Sequence, residues 1–132
     1  MKRAKVPESI RKAVKPRIEH TLQSRVGSGD VDTITYGDLA DAIGHHYRDG
    51  KFYTLLDEIA EEREAAAGCL VTAVVIRKRY PRTSGKRFFE LAEELPGYNC
   101  EHEKTFHAEQ LEKAVNYWRS RAGTTATARG TS

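Results

Sequence analysis

"TITYGDLADAIG", residues 33–44, puts a β-branched run, a helix-capping position and a short amphipathic helix into twelve residues. The Thr35 hydroxyl is placed to accept a backbone N–H at the helix start. Asp38, three residues on, sets a carboxylate at the positive end of the helix dipole, close to a capping box with Asp in place of Glu. Leu39, Ala40 and Ile43 supply the apolar face, and Gly44 suits the left-handed residue that stops a helix. Such a helix spans about two turns, a length that holds only through tertiary packing. "VDTITY" ahead of it reads as a short strand or extended lead-in.

Downstream, "HHYRDG" (45–50) is a turn. A helix follows from about Phe52 to Ala67, with Leu55, Leu56, Ile59, Ala60 and Arg63 at helical spacing and Gly68 at its end. "CLVTAVVI" (69–76) is a nearly continuous apolar run rich in β-branched residues, the pattern of a buried strand. "RKRYPRTSGKR" (77–87) is a loop broken by Pro81, Ser84 and Gly85. "FFELAEEL" (88–95) predicts a helix with Phe88, Leu91, Ala92 and Leu95 inward, and "PGYNCEHEKT" (96–105) is irregular. "HAEQLEKAVNYWRSR" (107–121) predicts a last helix burying Leu111, Val115 and Trp118.

Upstream, Ile10, Val14, Ile18, Leu22 and Val26 recur every four residues and predict a helix over 7–26. Pro7 suits its first turn, whereas Pro16 is expected to kink or split it. Arg11, Lys12, Lys15 and Arg25 fall on the opposite, solvated face, and "GSGD" (27–30) is a flexible joint. A chain of 132 residues suits one compact domain with frayed ends. The expected division is a basic N-terminal helix and linker over 1–30, a folded body over 31–121, and a disordered tail over 122–132.

An apolar fraction of 39% can build a modest core, and no stretch approaches the ~18 apolar residues of a transmembrane helix. The basic start lacks the apolar centre of a secretory signal. With only Cys69 and Cys100 as thiols, the simplest reading is a reduced, cytoplasmic protein. The net charge of +3 conceals a strong partition. Residues 1–25 hold eight Lys/Arg against Glu8 and Glu19, and residues 77–87 hold six and no acid. Residues 38–64 carry eight acids against three bases, and 90–113 carry seven against two. Either the blocks pair across the fold or they mark basic faces; an exposed 77–87 favours a basic face there.

The order of elements matches an α+β, mostly helical winged helix-turn-helix domain with a small sheet, the strand and basic loop serving as wing. "ITYGDLADAIG" resembles the Thr-Tyr-Gly-(Glu/Asp)-(Leu/Ile)-Ala motif in the DNA-binding half of alkylguanine-DNA alkyltransferases and their non-catalytic relatives. The resemblance is tight over about twelve residues and loose over 33–89. It implies that Thr35, Tyr36, Gly37 and Ala40 begin the first helix of a helix-turn-helix, with Tyr36 near the target nucleotide. It also places Cys69 where that family carries its nucleophile within Pro-Cys-His-Arg-Val. Here no Pro precedes Cys69 and no His-Arg follows. A thiol without a basic neighbour is not activated, so Cys69 reads as a small buried hydrophobe and no alkyl transfer is implied. A looser "TAVV…G…FFELA" likeness links the chain to small winged-helix domains of phages and mobile elements.

The candidate nucleic-acid contacts are Tyr36, Arg48, Lys51 and Tyr53 around the helix pair, and Arg77, Lys78, Arg79, Arg82, Lys86 and Arg87 in the loop. The helix that carries Lys51 and Tyr53 continues "DEIAEERE", so only its first turn could approach a phosphate backbone. His45, His46, Cys100, His102 and His107 do not follow a common zinc spacing and read as ordinary side chains. No phosphate loop, His-Glu-x-x-His or nuclease carboxylate-lysine pair is present. The expected function is a non-enzymatic, cofactor-free DNA-binding protein that grips duplex backbone. The alternative is a regulatory or inhibitory interaction module of a mobile element or phage, acting through the acidic helix. Homodimerisation through the first helix fits either.

Overall fold

The Thr35 hydroxyl accepts the Asp38 amide at 3.1 Å, and a helix begins at the very next residue. That cap fixes where the preceding strand must end. In the computed structural model, which describes residues 4–44 and 50–126, with side chains through residue 121, the chain runs α1 (Glu8–Arg25), β1 (Ile34–Thr35), α2 (Tyr36–Ile43) and α3 (Gly50–Ala67). A 3₁₀ turn (Val71–Val74), β2 (Val75–Ile76), α4 (Lys86–Glu94) and α5 (Glu103–Ala126) complete it. The architecture is α+β, mostly helical, with one two-stranded parallel sheet among the described residues. Ile34 lies opposite Val75 and Thr35 opposite Ile76.

The expected strand over 69–76 is therefore confined to its last two residues. Its partner among the described residues, β1, is two residues long. The parallel register would set residues 28–33 opposite 69–74, but the chain leaves α1 through a turn whose Val31 amide donates to the Arg25 carbonyl, and it becomes strand only at Ile34. The preceding backbone cannot join a ladder, yet residues 69–76 are all buried, and buried amides and carbonyls need partners. Side chains provide them. The Leu70 amide donates to Gln110 Oε1 at 2.8 Å, and the Trp118 indole donates to the Val71 carbonyl at 3.1 Å. The Ala73 carbonyl accepts from His107 Nε2 at 2.8 Å, and the Val75 carbonyl accepts the Ser84 hydroxyl at 2.7 Å. Three of these four side chains come from α5, which lies along the run as a surrogate strand.

Around this spine one core forms. Val14, Ile18, Leu22 and Val26 pack with Leu39, Ala40 and Ile43 of α2 and with Phe52, Leu55, Ile59 and Ala60 of α3. Phe88, Phe89, Leu91, Ala92, Phe106, Ala114, Val115 and Trp118 close the other side. Fully buried residues such as Ile18 and Leu22 each contribute about 1.5–3 kcal/mol of apolar burial. The N-terminal helix thus belongs to the same core as the rest. Pro16 does not split it: α1 is continuous from Glu8 to Arg25. At its end Gly27 packs so closely that a Cβ there would fall 2.3 Å from the Gln23 carbonyl and 2.9 Å from that of Trp118. Gly44 stops α2 at φ 69°, as its sequence position predicts. α5 extends to Ala126, so residues 122–126 of the expected disordered tail are helical.

Burial pulls the His107 pKa below its ordinary 6.5, and the nearby Arg77 charge adds to the effect. The unfolded chain then binds a proton there more readily than the folded one. Stability contributed by neutral His107 is full above 6.5 and falls as pH drops below it. Urea unfolding at about pH 7 and about pH 5 should show a loss in the wild type. His107→Gln, which keeps an N–H donor, should lose less over the same interval.

Candidate nucleic-acid interface

The basic loop is built from its base upward. Ser84 is fully buried and anchors the loop's return to β2 through the Val75 carbonyl. The Arg77 amide donates to the Thr83 carbonyl at 2.9 Å, and the Arg77 guanidinium donates to Thr83 Oγ1 at 3.0 Å. The Thr83 amide in turn donates to the Pro81 carbonyl at 2.9 Å. Residues 77–83 are thus closed by their own backbone. The loop is no antiparallel hairpin; it leaves a parallel strand and runs straight into α4.

Within it, Arg77, Lys78, Arg79, Arg82 and Lys86 are exposed, and none pairs with a carboxylate of the described residues. Arg87 differs. Its guanidinium donates to buried Asp57 at 2.8 Å and lies 5.7 Å from the centre of the Tyr53 ring. It ties the start of α4 to α3, so it is a structural contact. Tyr80 stands out at the loop tip, 82% exposed, with the Lys104 ammonium 4.6 Å from its ring centre.

Tyr36 and Tyr53 meet at this junction, ring centres 5.5 Å apart. The Tyr36 hydroxyl accepts the Gly85 amide at 2.8 Å, and burial pushes its pKa up to about 12. With Asp57, Thr72 and Arg87 these rings enclose a cavity of about 20 Å³. That volume is near the size of one water and far below that of a nucleobase. Tyr36 therefore orients the loop's return. Lys51 lies on another face of α3, beside Arg11, Thr54 and Glu58, and is not brought to the loop. Arg48, His45 and His46 lie outside the described residues.

The other basic block has a different fate. Arg11 donates to both Glu58 carboxylate oxygens, at 2.9 and 2.8 Å, and to Glu8 at 2.8 Å. Lys15, its side chain only 12% exposed, reaches Glu58 at 3.3 Å and Glu62 at 2.5 Å. These bonds raise the Arg11 pKa and hold the Glu58 carboxyl below its usual range. In the opposite sense Arg63 of α3 pairs with Glu19 and donates to the Tyr117 hydroxyl at 2.7 Å. Arg11 and Lys15 are thus not solvated as their helical face suggested: packing of α1 on α3 brings acids opposite them.

Cys69 is fully buried, and burial pushes its thiol pKa up to about 11, the reverse of nucleophile activation. Both cysteines are free thiols. His107 is engaged by Ala73, and the described residues hold no group of three metal-ligating side chains. Among the described residues no helix is long and apolar enough to cross a membrane. No protein-family model, curated protein or solved structure matches the chain.

Sequence reasoning missed Lys104, which lies in an otherwise acidic segment and reaches Tyr80 only through the fold. It also missed that Ser84, read as a breaker, and its neighbour Thr83 are buried anchors. The loop's cations should separate by variant. Arg87→Ala should cost about 2 kcal/mol by exposing a buried carboxylate to the loss of its guanidinium. Arg82→Ala should change the urea midpoint by an amount within experimental error.

Proposed function

We propose that the chain is a non-enzymatic binding protein for double-stranded DNA, docking duplex backbone on residues 77–86. In this reading α2 and α3 form the helix pair of a winged-helix-like domain, and the closed loop takes the place of the wing. One observation carries it: Arg77, Lys78, Arg79, Arg82 and Lys86 are exposed without carboxylate partners among the described residues, although the chain carries nineteen acids. Several acids elsewhere are used internally. Glu58 and Glu62 pair with Arg11 and Lys15, which removes part of the acidic face of α3 as a docking surface for a basic protein and lessens its repulsion of DNA. Cations held ready in a closed loop release counterions from phosphates, enough for micromolar to submillimolar binding at physiological salt. Two free thiols suit a reducing compartment such as the cytoplasm.

Fluorescence anisotropy against a labelled duplex over a salt series tests the reading. Binding should weaken steeply with salt. The triple variant Arg79→Ala, Arg82→Ala, Lys86→Ala should reduce the slope of log K against log salt by roughly 0.9 per lost phosphate contact. Lys12→Ala with Arg17→Ala, on the exposed side of α1, should leave the slope unchanged. No binding at low salt, or binding indifferent to salt, removes the proposal.

A further inference from the structure

We infer that Tyr80 is a stacking platform for an unpaired base, so that the chain prefers duplex DNA adjoining a single-stranded nucleotide over a blunt duplex. The inference rests on the reading of 77–86 as a polyanion surface and specifies what that surface takes. Tyr80 is 82% exposed, while every other aromatic side chain among the described residues is buried or half-buried. A single exposed ring is unremarkable on most surfaces. This one sits at the tip of a loop with Arg79 and Arg82 close in sequence and no carboxylate from 77 to 87.

Its placement is also fixed. The Arg77–Thr83 backbone bond closes the loop beneath it. Lys104, arriving from α5, sets its ammonium 4.6 Å from the ring centre and donates to the phenolic oxygen. A ring steadied in this way loses little freedom on binding, and its exposure leaves a face free to meet a flat partner. In an intact duplex the bases are already stacked and offer only their edges. An unpaired base offers a face, and the surrounding cations hold the phosphates on either side of it. Basic surface combined with an aromatic platform is the general chemistry of single-strand recognition.

The test is anisotropy of the full chain with two labelled DNAs, a blunt duplex and the same duplex carrying a short single-stranded extension. For the extended duplex, Tyr80→Ala should weaken binding about ten-fold and Tyr80→Phe by less than about two-fold. The blunt duplex should bind all three proteins within about two-fold of one another. An unchanged melting temperature for Tyr80→Ala confirms that the fold is intact, since Lys104 is the ring's contact. Tyr80→Ala weakening both DNAs equally, or neither, overturns the inference while leaving the loop's role standing. Arg79→Ala with Arg82→Ala leaving both affinities untouched removes the polyanion reading and this inference together.

Discussion

The structure depends on satisfying the backbone of one buried apolar segment. Residues 69–76 pass through the centre of the molecule, where an unpaired amide or carbonyl costs about 1–3 kcal/mol. A sheet would ordinarily meet that need, but β1 offers only Ile34 and Thr35, because the residues before it, which the parallel register would set opposite 69–74, form the turn out of α1. Gln110, His107 and Trp118 of α5 and Ser84 of the loop take over the task. The consequence is topological. α5 must lie along the run, and the chain leaving Ile76 must return through Ser84, so the loop between them has a fixed base.

Charge follows from the same packing. Once α1 lies on α3, Arg11 and Lys15 face Glu58 and Glu62, and Glu19 faces Arg63. The basic and acidic blocks at those places neutralise each other at partly buried positions, where a bidentate guanidinium–carboxylate pair outperforms an exposed one. Among the described residues the loop has no such neighbour except at its end, where Arg87 meets Asp57. What remains is a compact set of exposed positive side chains on a closed loop, the feature on which the proposed docking of a polyanion rests.

Much of the fold was legible because it is encoded locally. The Thr35 cap, the Gly44 stop, and the apolar faces of α2 and α3 each depend on residues within four positions. The apolar run was visible as buried but not as largely non-sheet, since its conformation depends on the length of a distant partner. The continuity of α1 through Pro16 was hidden for a related reason. A proline removes one backbone donor, whereas Val14, Ile18 and Leu22 bury their side chains on both sides of it. For the site, the basic loop could be read directly, but its internal sorting could not. That Arg87 is structural, that Tyr36 carries the Gly85 amide, and that Lys104 joins Tyr80 all depend on contacts across 24 to 49 residues of chain.

The most direct measurement is a backbone amide NMR titration of the isotope-labelled full chain with a short DNA duplex at low salt. Perturbed resonances should gather at residues 77–86 and reach Lys104, with the amides of α1 around Arg11 and Lys15 unmoved. Perturbations clustered along α1, with those of the loop unchanged, would contradict the account.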